Sequence, residues 1–124
     1  MAEQRSPYSP SVAVGPLIFV SGQVAVDPAT GRFVGGAVAA QTKRALENVR
    51  LQLRTHGADM NDVVKTTVFL LQAADFDAMN DVYRQVFSNA LPTRSTVAVA
   101  ELMRPDAVVE IEAIAVRRGK GLGR

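Results

Sequence analysis

Two strand-like stretches near the C-terminal end are largely apolar on both faces, and they constrain the fold more than any other feature. They cover residues 93–100 and 108–116. Alternate side chains of a strand point to opposite faces of a sheet, so a sheet built from these stretches needs cover on both sides. Helices of the same chain can cover one face. A monomer would leave the other face as an exposed apolar patch, so we expect an oligomer, and a closed ring rather than an open chain.

Each of these stretches also carries a charged side chain near its start, Arg94 in one and Glu110 in the other. Unpaired charges are costly to bury, so charges inside apolar strands call for an explanation. The planar guanidinium of arginine can hold a carboxylate through two parallel hydrogen bonds. A carboxylate can orient a water molecule and take its proton. The pair therefore predicts a site that binds a small organic acid with Arg94 and activates water with Glu110.

Composition excludes several other classes of protein. The 124 residues suit one compact domain, and the absence of cysteine removes disulfides, thiolate metal sites and cysteine nucleophiles. His56 is the only histidine, which argues against a histidine-based zinc site, and we expect no metal or cofactor. Aromatic residues make up 6% and do not cluster with basic ones, which argues against a nucleic-acid partner. We find no secretory signal and no apolar run long enough to span a bilayer, so we expect a cytoplasmic protein without membrane contact.

Hydrophobic periodicity predicts two helices and five strands. Apolar residues at three- and four-residue spacings indicate helices over 38–56 and 75–88, with Gly57 placed to cap the first and Asp75, or a residue just before it, placed to cap the second. Strands are expected over 17–26, 32–34, 63–71, 93–100 and 108–116. This order predicts an α+β fold, with a single mixed sheet packed on one face by the two helices. We expect one domain over residues 1–118 and a disordered, basic, glycine-rich tail over 119–124.

The sequence from about residue 7 to residue 118 resembles the reactive-intermediate deaminase family (RidA, also called YjgF). The motifs that carry the resemblance are Phe19-Val20-Ser21-Gly22-Gln23, Pro28-x-Thr30-Gly31, Gln41-Thr42 with Leu46-Glu47-Asn48, Val64-Lys65-Thr66-Thr67-Val68-Phe69-Leu70, Asn80-x-x-Tyr83, Pro92-x-Arg94-Ser95 and Val109-Glu110-Ile111-Glu112-Ala113-Ile114-Ala115. The resemblance implies a chorismate-mutase-like fold and a homotrimer with a central sheet-lined core. It also implies active sites between subunits that hydrolyse short-lived imines and enamines to keto acids and ammonia, without cofactor or metal.

The resemblance also implies roles for individual residues. Arg94 matches the arginine that binds the substrate carboxylate, and Glu110 matches the glutamate near the attacking water. The other matches are substrate-binding or cleft-lining residues: Tyr8 at the pocket rim, Ser21, Asn80, and Thr96 at a position often held by cysteine.

The sequence departs from the family pattern in two segments, and the first lies at the mouth of the expected pocket. Ser6 stands where the family has glycine, and Pro10 stands where it has glutamine. The turn at residues 102–106 is one residue longer than the family's Leu-Pro-Lys turn. Because a one-residue slip inverts the facing of a strand, the role of Glu110 depends on the turn absorbing the extra residue.

Spacing raises a further question about the two charged residues. If residues 94–100 and 108–116 formed a simple hairpin, Arg94 and Glu110 would lie about 17 Å apart along the sheet. One small substrate could not touch both. Either the strands are paired in another way, or a neighbouring subunit completes the site.

Structural roles compete with the functional ones, and other functions remain open. Arg94 and Glu110 can be ion-pair partners, Tyr8 can be ordinary packing, and Ser21 and Asn80 can satisfy local backbone groups. Besides a general imine deaminase, the sequence allows a deaminase dedicated to one catabolic enamine, an RNA-acting relative, or a small-carboxylate binder without turnover.

Overall fold

A single mixed sheet with two helices on one side forms the fold, as the sequence predicts. The computed structural model describes residues 6–118, so the expected tail at 119–124 lies outside the described residues. Five strands pair in the order β1-β2-β5-β3-β4, and only β3 and β4 run parallel. The elements are β1 Ser11–Val14, β2 Leu17–Gln23, α1 Val38–Arg54, β3 Val63–Leu70, α2 Phe76–Val86, β4 Thr93–Ala98 and β5 Val109–Val116.

The N-terminal side of the sheet differs from the sequence-based expectation. The short strand β1, which pairs with β2 across a turn containing Gly15 at φ 58°, was not predicted because four residues give too little periodicity. Strand β2 ends at Gln23 rather than at residue 26. The expected strand at 32–34 is reduced to a single bridge between Val26 and Phe33.

The hairpin considered for the last two strands does not form. Strand β3 lies between β4 and β5, pairing in parallel with one and antiparallel with the other. The extra residue of the 102–106 turn is absorbed before β5, where Asp106 adopts a left-handed conformation with φ 70°. Strand β5 therefore keeps Val109 and Ile111 in the core and places Glu110 on the opposite face.

Helix α1 ends, and helix α2 begins, within two residues of the predicted positions. Ala58 and Gly57 donate backbone hydrogen bonds to the carbonyls of Leu53 and Arg54, which is the Schellman motif, and Gly57 has φ 76°. Helix α2 is shorter than expected. Asp75 does not cap it with its side chain, because a 3₁₀ turn over Ala73–Asp75 leads directly into the helix.

The two faces of the sheet have different surroundings. The helix-side face packs against α1 and α2 and forms the core, which includes Ile18, Leu46, Val49, Val68, Ile111 and Ala115. On the opposite face, here called the open face, Val12, Val14, Leu17, Phe19 and Val97 are 39–59% exposed. Both faces are thus apolar, as the sequence indicated. Within residues 6–118, neither helix has the length and apolar character needed to cross a membrane.

Candidate active site

Arg94 lies on the helix side of the sheet, on a shelf of aromatic rings. It is the second residue of β4 and pairs with Thr66 of β3, so both side chains point toward α2. Its guanidinium carbon lies 4.7 Å from the ring centroid of Tyr83 and 5.6 Å from that of Phe76. Such cation–π contacts hold the planar group over the rings. The edges that carry the N–H donors can therefore remain available to a ligand.

A cleft of about 370 Å³ opens beside this arginine, and we call it the arginine cleft. It is lined by Asn80, Tyr83, Arg84, Leu91, Pro92 and Arg94. The side-chain oxygen of Asn80 is buried and accepts no hydrogen bond from any described residue. An unsatisfied buried acceptor is costly unless a ligand or water supplies a donor, so Asn80 is suited to bind an N–H group.

Tyr83 connects this cleft to the core. Its hydroxyl forms a 2.6 Å hydrogen bond with the hydroxyl of Thr66, which orients the ring below Arg94. Burial raises the pKa of Tyr83, and the hydrogen bond with Thr66 and the charge of Arg94 oppose that rise only in part. The tyrosine therefore stays neutral at ordinary pH and acts as a support for the cation.

Glu110 lies on the other side of the sheet, above a β-bulge. Between Val20 and Gln23 the pairing of β2 with β5 shifts register, so that Ser21 and Gly22 together oppose one residue of β5. The Glu110 side chain lies against the Gly22 backbone, so closely that a Cβ atom there would collide with the carboxylate. Glycine at the bulge thus makes room for the carboxylate.

The electrostatic environment of Glu110 favours its protonated form. Burial is the main factor that raises its pKa, and the negative charge of Glu112 on the same face adds to the rise. A carboxylate whose pKa is raised is a stronger base than an ordinary glutamate, which favours its acceptance of a proton from water.

The cleft that holds Glu110, here called the glutamate cleft, has a volume of about 550 Å³. It is lined by Ser6, Tyr8, Pro10, Gly22, Gln23, Val24, Val26, Met103, Arg104 and Glu110. The departures from the family pattern at Ser6 and Pro10 therefore fall on its wall, as does part of the longer turn.

Ser21 positions the segment that carries Tyr8. The Ser21 hydroxyl donates a 2.7 Å hydrogen bond to the carbonyl of Ser9, and its backbone N–H donates to the carbonyl of Pro10 at 2.9 Å. Tyr8 is 64% exposed at the edge of the glutamate cleft. Thr96 pairs with Val68 on the helix side of the sheet, and it does not share a face with Glu110.

The residues singled out in the sequence thus form two groups in one chain. Tyr8 lies with Glu110, and Asn80 lies with Arg94. Strand pairing places Arg94 level with Thr66 and Glu110 level with Phe69 on β3. The two are therefore separated by about 10 Å along the strands and about 10 Å across them, on opposite faces. A single chain does not bring them together around one small molecule.

Two contributors to these clefts received no role from the sequence. Tyr83 was part of a motif, and its position three residues after Asn80 on α2 was the available signal, because residues at that spacing share a helix face. Arg104 was noted only as part of a longer turn. Nothing in the sequence indicates that this turn folds over the glutamate cleft.

The fold and the site define a small α+β protein in which one cleft holds Arg94 and another holds Glu110. Residues 2–117 match the family model described as Endoribonuclease L-PSP. The chain therefore belongs to this family, which is also called the YjgF/RidA family.

Similar proteins include enzymes and solved structures. The chain is 46% identical over 111 residues to the 2-iminobutanoate/2-iminopropanoate deaminase of Mus musculus, covering 90% of this chain and 82% of that protein. It is equally identical, over the same length, to a RutC family protein of Pyrococcus abyssi, covering 90% of this chain and 87% of the relative. Among structures, E. coli TdcF with bound serine superposes with a TM-score of 0.86 at 41% identity, covering 93% and 91% of the two chains.

Proposed function

We propose that this chain is a hydrolase that converts 2-imino acids and their enamine tautomers, such as 2-iminopropanoate and 2-iminobutanoate, into 2-keto acids and ammonia. The observation that carries the proposal is its likeness, along nearly its whole length, to mammalian proteins named for this activity. Serine bound to the similar TdcF protein is consistent with a site for small amino-acid-like ligands.

Arg94 holds the substrate carboxylate in this proposal. The aromatic shelf formed by Tyr83 and Phe76 fixes the plane of the guanidinium, and two parallel hydrogen bonds then fix the plane of the imino acid. The unpartnered oxygen of Asn80 accepts the N–H of the imine. Thr96 lies two residues along β4 on the same face and lines neither cleft of the single chain, and its proposed role is to hold water or substrate through its backbone.

Glu110 activates water. Its carboxylate takes a proton as the water oxygen bonds to the imine carbon, and the imine nitrogen gains a proton. The resulting 2-amino-2-hydroxy acid collapses when its hydroxyl becomes a carbonyl and its nitrogen leaves as ammonia. The sum is one imino acid and one water giving one keto acid and one ammonia. The reaction uses only side chains and water, and general base help of this kind contributes about 10²–10⁴-fold.

We place the complete site between two copies of the chain. Arg94 and Glu110 lie on opposite faces, and the apolar open face is uncovered by residues 6–118. A homotrimer that buries the open face around a central core would bring Glu110 and Tyr8 of one subunit to Arg94 of the next. In this arrangement Ser21 keeps its backbone contacts and so positions Tyr8 at the rim. The cytoplasmic location expected from the sequence is part of the same proposal.

The family description names an RNA-cleaving activity, so RNA is the second candidate substrate. The site offers little to support it. The only histidine, His56, hydrogen bonds to Ser11 and lines neither of the two clefts. RNA cleavage that co-elutes with the trimer and disappears in Arg94→Ala would support this candidate. Cleavage that survives the substitution and separates on chromatography would dismiss it.

The deaminase proposal is tested by generating the imines in solution. An amino-acid oxidase with catalase produces 2-iminopropanoate from alanine, and the release of pyruvate is followed with and without the protein. We expect acceleration by the wild type and a loss of at least about a hundredfold in Arg94→Ala, because the carboxylate loses a charge-assisted pair of hydrogen bonds. Arg84→Ala is the matched control, since Arg84 lines the same cleft but pairs with Asp81. Binding of pyruvate without acceleration of any imine would instead indicate a carboxylate binder without turnover.

A further inference from the structure

A second arginine lies in the glutamate cleft, and the proposed reaction does not use it. Arg104 comes from the loop between β4 and β5 and lines the cleft together with Glu110 and Tyr8. Its guanidinium carbon lies 5.5 Å from the ring centroid of Phe33. Among residues 6–118 no ion pair involves Arg104, so its donors are not committed to a carboxylate of the same chain.

The loop that carries Arg104 is held in place by a buried glutamine. Gln41 is 2% exposed, and its side-chain nitrogen donates to the carbonyls of Gly36 at 2.8 Å and Asp106 at 3.2 Å. Its side-chain oxygen accepts from the backbone N–H of Val108 at 2.9 Å. These bonds tie the C-terminal end of the loop, at Asp106 and Val108, to helix α1. The loop is therefore anchored two residues after Arg104.

Arg104 is more exposed than Arg94, but the two arginines share one feature. Each guanidinium lies over an aromatic ring, Phe33 for one and Tyr83 for the other, with its N–H groups uncommitted. Such a group binds an anion at a lower entropic cost than a freely rotating side chain. The glutamate cleft, at about 550 Å³, also has room for more than a three-carbon acid.

We propose that Arg104 binds a second acidic group of the substrate, and that this protein favours imino and enamino acids with two carboxylates. This rests on the proposed deaminase function. Arg94 of one subunit holds the carboxylate next to the imine carbon, and Arg104 holds the carboxylate at the far end of the side chain. For 2-iminosuccinate, one water adds and one ammonia leaves to give oxaloacetate. The second carboxylate serves for binding and does not react.

Three imines separate the effect of charge from the effect of size. Oxidation of alanine, aspartate and asparagine gives 2-iminopropanoate, 2-iminosuccinate and 2-iminosuccinamate. The last two have nearly the same shape, and only 2-iminosuccinate has a second charge. We expect the wild type to have a kcat/KM at least about tenfold higher for 2-iminosuccinate than for the amide. Arg104→Gln should remove most of that ratio, and Arg104→Glu should invert it.

Arg32→Ala is the matched control, because Arg32 is an exposed cation next to Phe33 in the sequence and does not line the cleft. It should leave the ratio as in the wild type. Phe33→Leu, which removes the ring below Arg104, should give an intermediate ratio. A wild-type ratio near one overturns the inference, and so does an equal loss for all three imines in Arg104→Gln. If no imine is hydrolysed faster with the protein present, the deaminase function itself fails, which is a distinguishable result.

Discussion

The arginine cleft and the glutamate cleft are built by different means on the two sides of one sheet. In the arginine cleft, packing fixes a cation: Arg94 lies on rings that belong to the core or border it. In the glutamate cleft, a β-bulge and two loops surround a carboxyl group whose pKa is raised mainly by burial. The first can hold an organic acid, and the second can take a proton from water. In the proposed reaction, binding and proton transfer are therefore divided between two surfaces that meet where two copies of the chain join.

The strongest test of this division is to remove the base. Glu110→Gln keeps the shape of the side chain but cannot take a proton, so we expect kcat/KM to fall by about 10²–10⁴-fold. In the wild type, kcat/KM should fall as pH drops through the pKa of Glu110. Because burial and Glu112 raise that pKa, this limb should lie above the ordinary value of 4.5. The pH dependence of kcat/KM measures it.

Glu112→Gln is the control for the pH profile. It removes the neighbouring negative charge but not the base, so the acid limb should move to lower pH while activity is retained.

The pH dependence of stability gives a second check on the raised pKa of Glu110. Between the ordinary and the folded pKa of Glu110 the folded state binds more protons than the unfolded state, so stability falls as pH rises through that window. Glu110→Gln should therefore not lower the midpoint of thermal unfolding at neutral pH, and a clear drop would point to a structural role.

Mixing two inactive variants tests whether the clefts meet between subunits. Arg94→Ala and Glu110→Gln chains are combined one to one by unfolding and refolding together. In the proposed trimer, every assembly that contains both variants has one junction where an intact arginine meets an intact glutamate, so about a quarter of wild-type activity should return. Recovery would be at least about 25-fold over either variant alone, because each variant has lost at least about a hundredfold. No recovery in mixed trimers verified by mass would show that Arg94 and Glu110 do not share a site across subunits.

The sequence predicted the helices and most strands of the sheet, but less of the site. Periodicity predicted both helices and the strands β3 to β5, because these elements are long and pack one face on the core. It did not predict the order of the strands. Whether β5 pairs with β4 or with β3 depends on contacts between distant segments, and alternation along one strand carries no information about its neighbours.

Prediction of the site depended on the same contacts between distant segments. The face of Glu110 could be inferred once the turn was assumed to absorb its extra residue, and Asp106 with φ 70° does this. The separation of Arg94 from Glu110 suggested that a neighbour completes the site, and their placement on opposite faces is consistent with that suggestion. Arg104 was not recognised because its proposed role in substrate binding depends on Phe33 and Gln41, which lie far away in the sequence.

Gly22→Ala tests whether the glycine of the glutamate cleft makes room for the Glu110 carboxylate. An added methyl group would displace the Glu110 carboxylate, whereas no atom of the arginine cleft lies near it. We expect kcat/KM to fall about tenfold through misplacement of the base. In a Glu110→Gln background the same change should cost almost nothing further, because the group it displaces no longer acts. Additive losses in the double variant would show that Gly22 acts on something other than Glu110.

Tyr83 gives the smallest expected effect, and it tests the arginine side. Tyr83→Phe keeps the ring below Arg94 but leaves the buried Thr66 hydroxyl without its 2.6 Å partner, so the free energy of unfolding should fall by about 1 kcal/mol. Activity should change less than about threefold, because the cation–π contact is retained. Tyr83→Leu removes the ring as well, and kcat/KM should then fall about tenfold, mainly through KM. Denaturant unfolding and steady-state kinetics on the two variants distinguish the hydroxyl, which stabilises the fold, from the ring, which positions the arginine. Equal losses of activity in both variants would place the hydroxyl itself in the site and shift the role of the ring to packing.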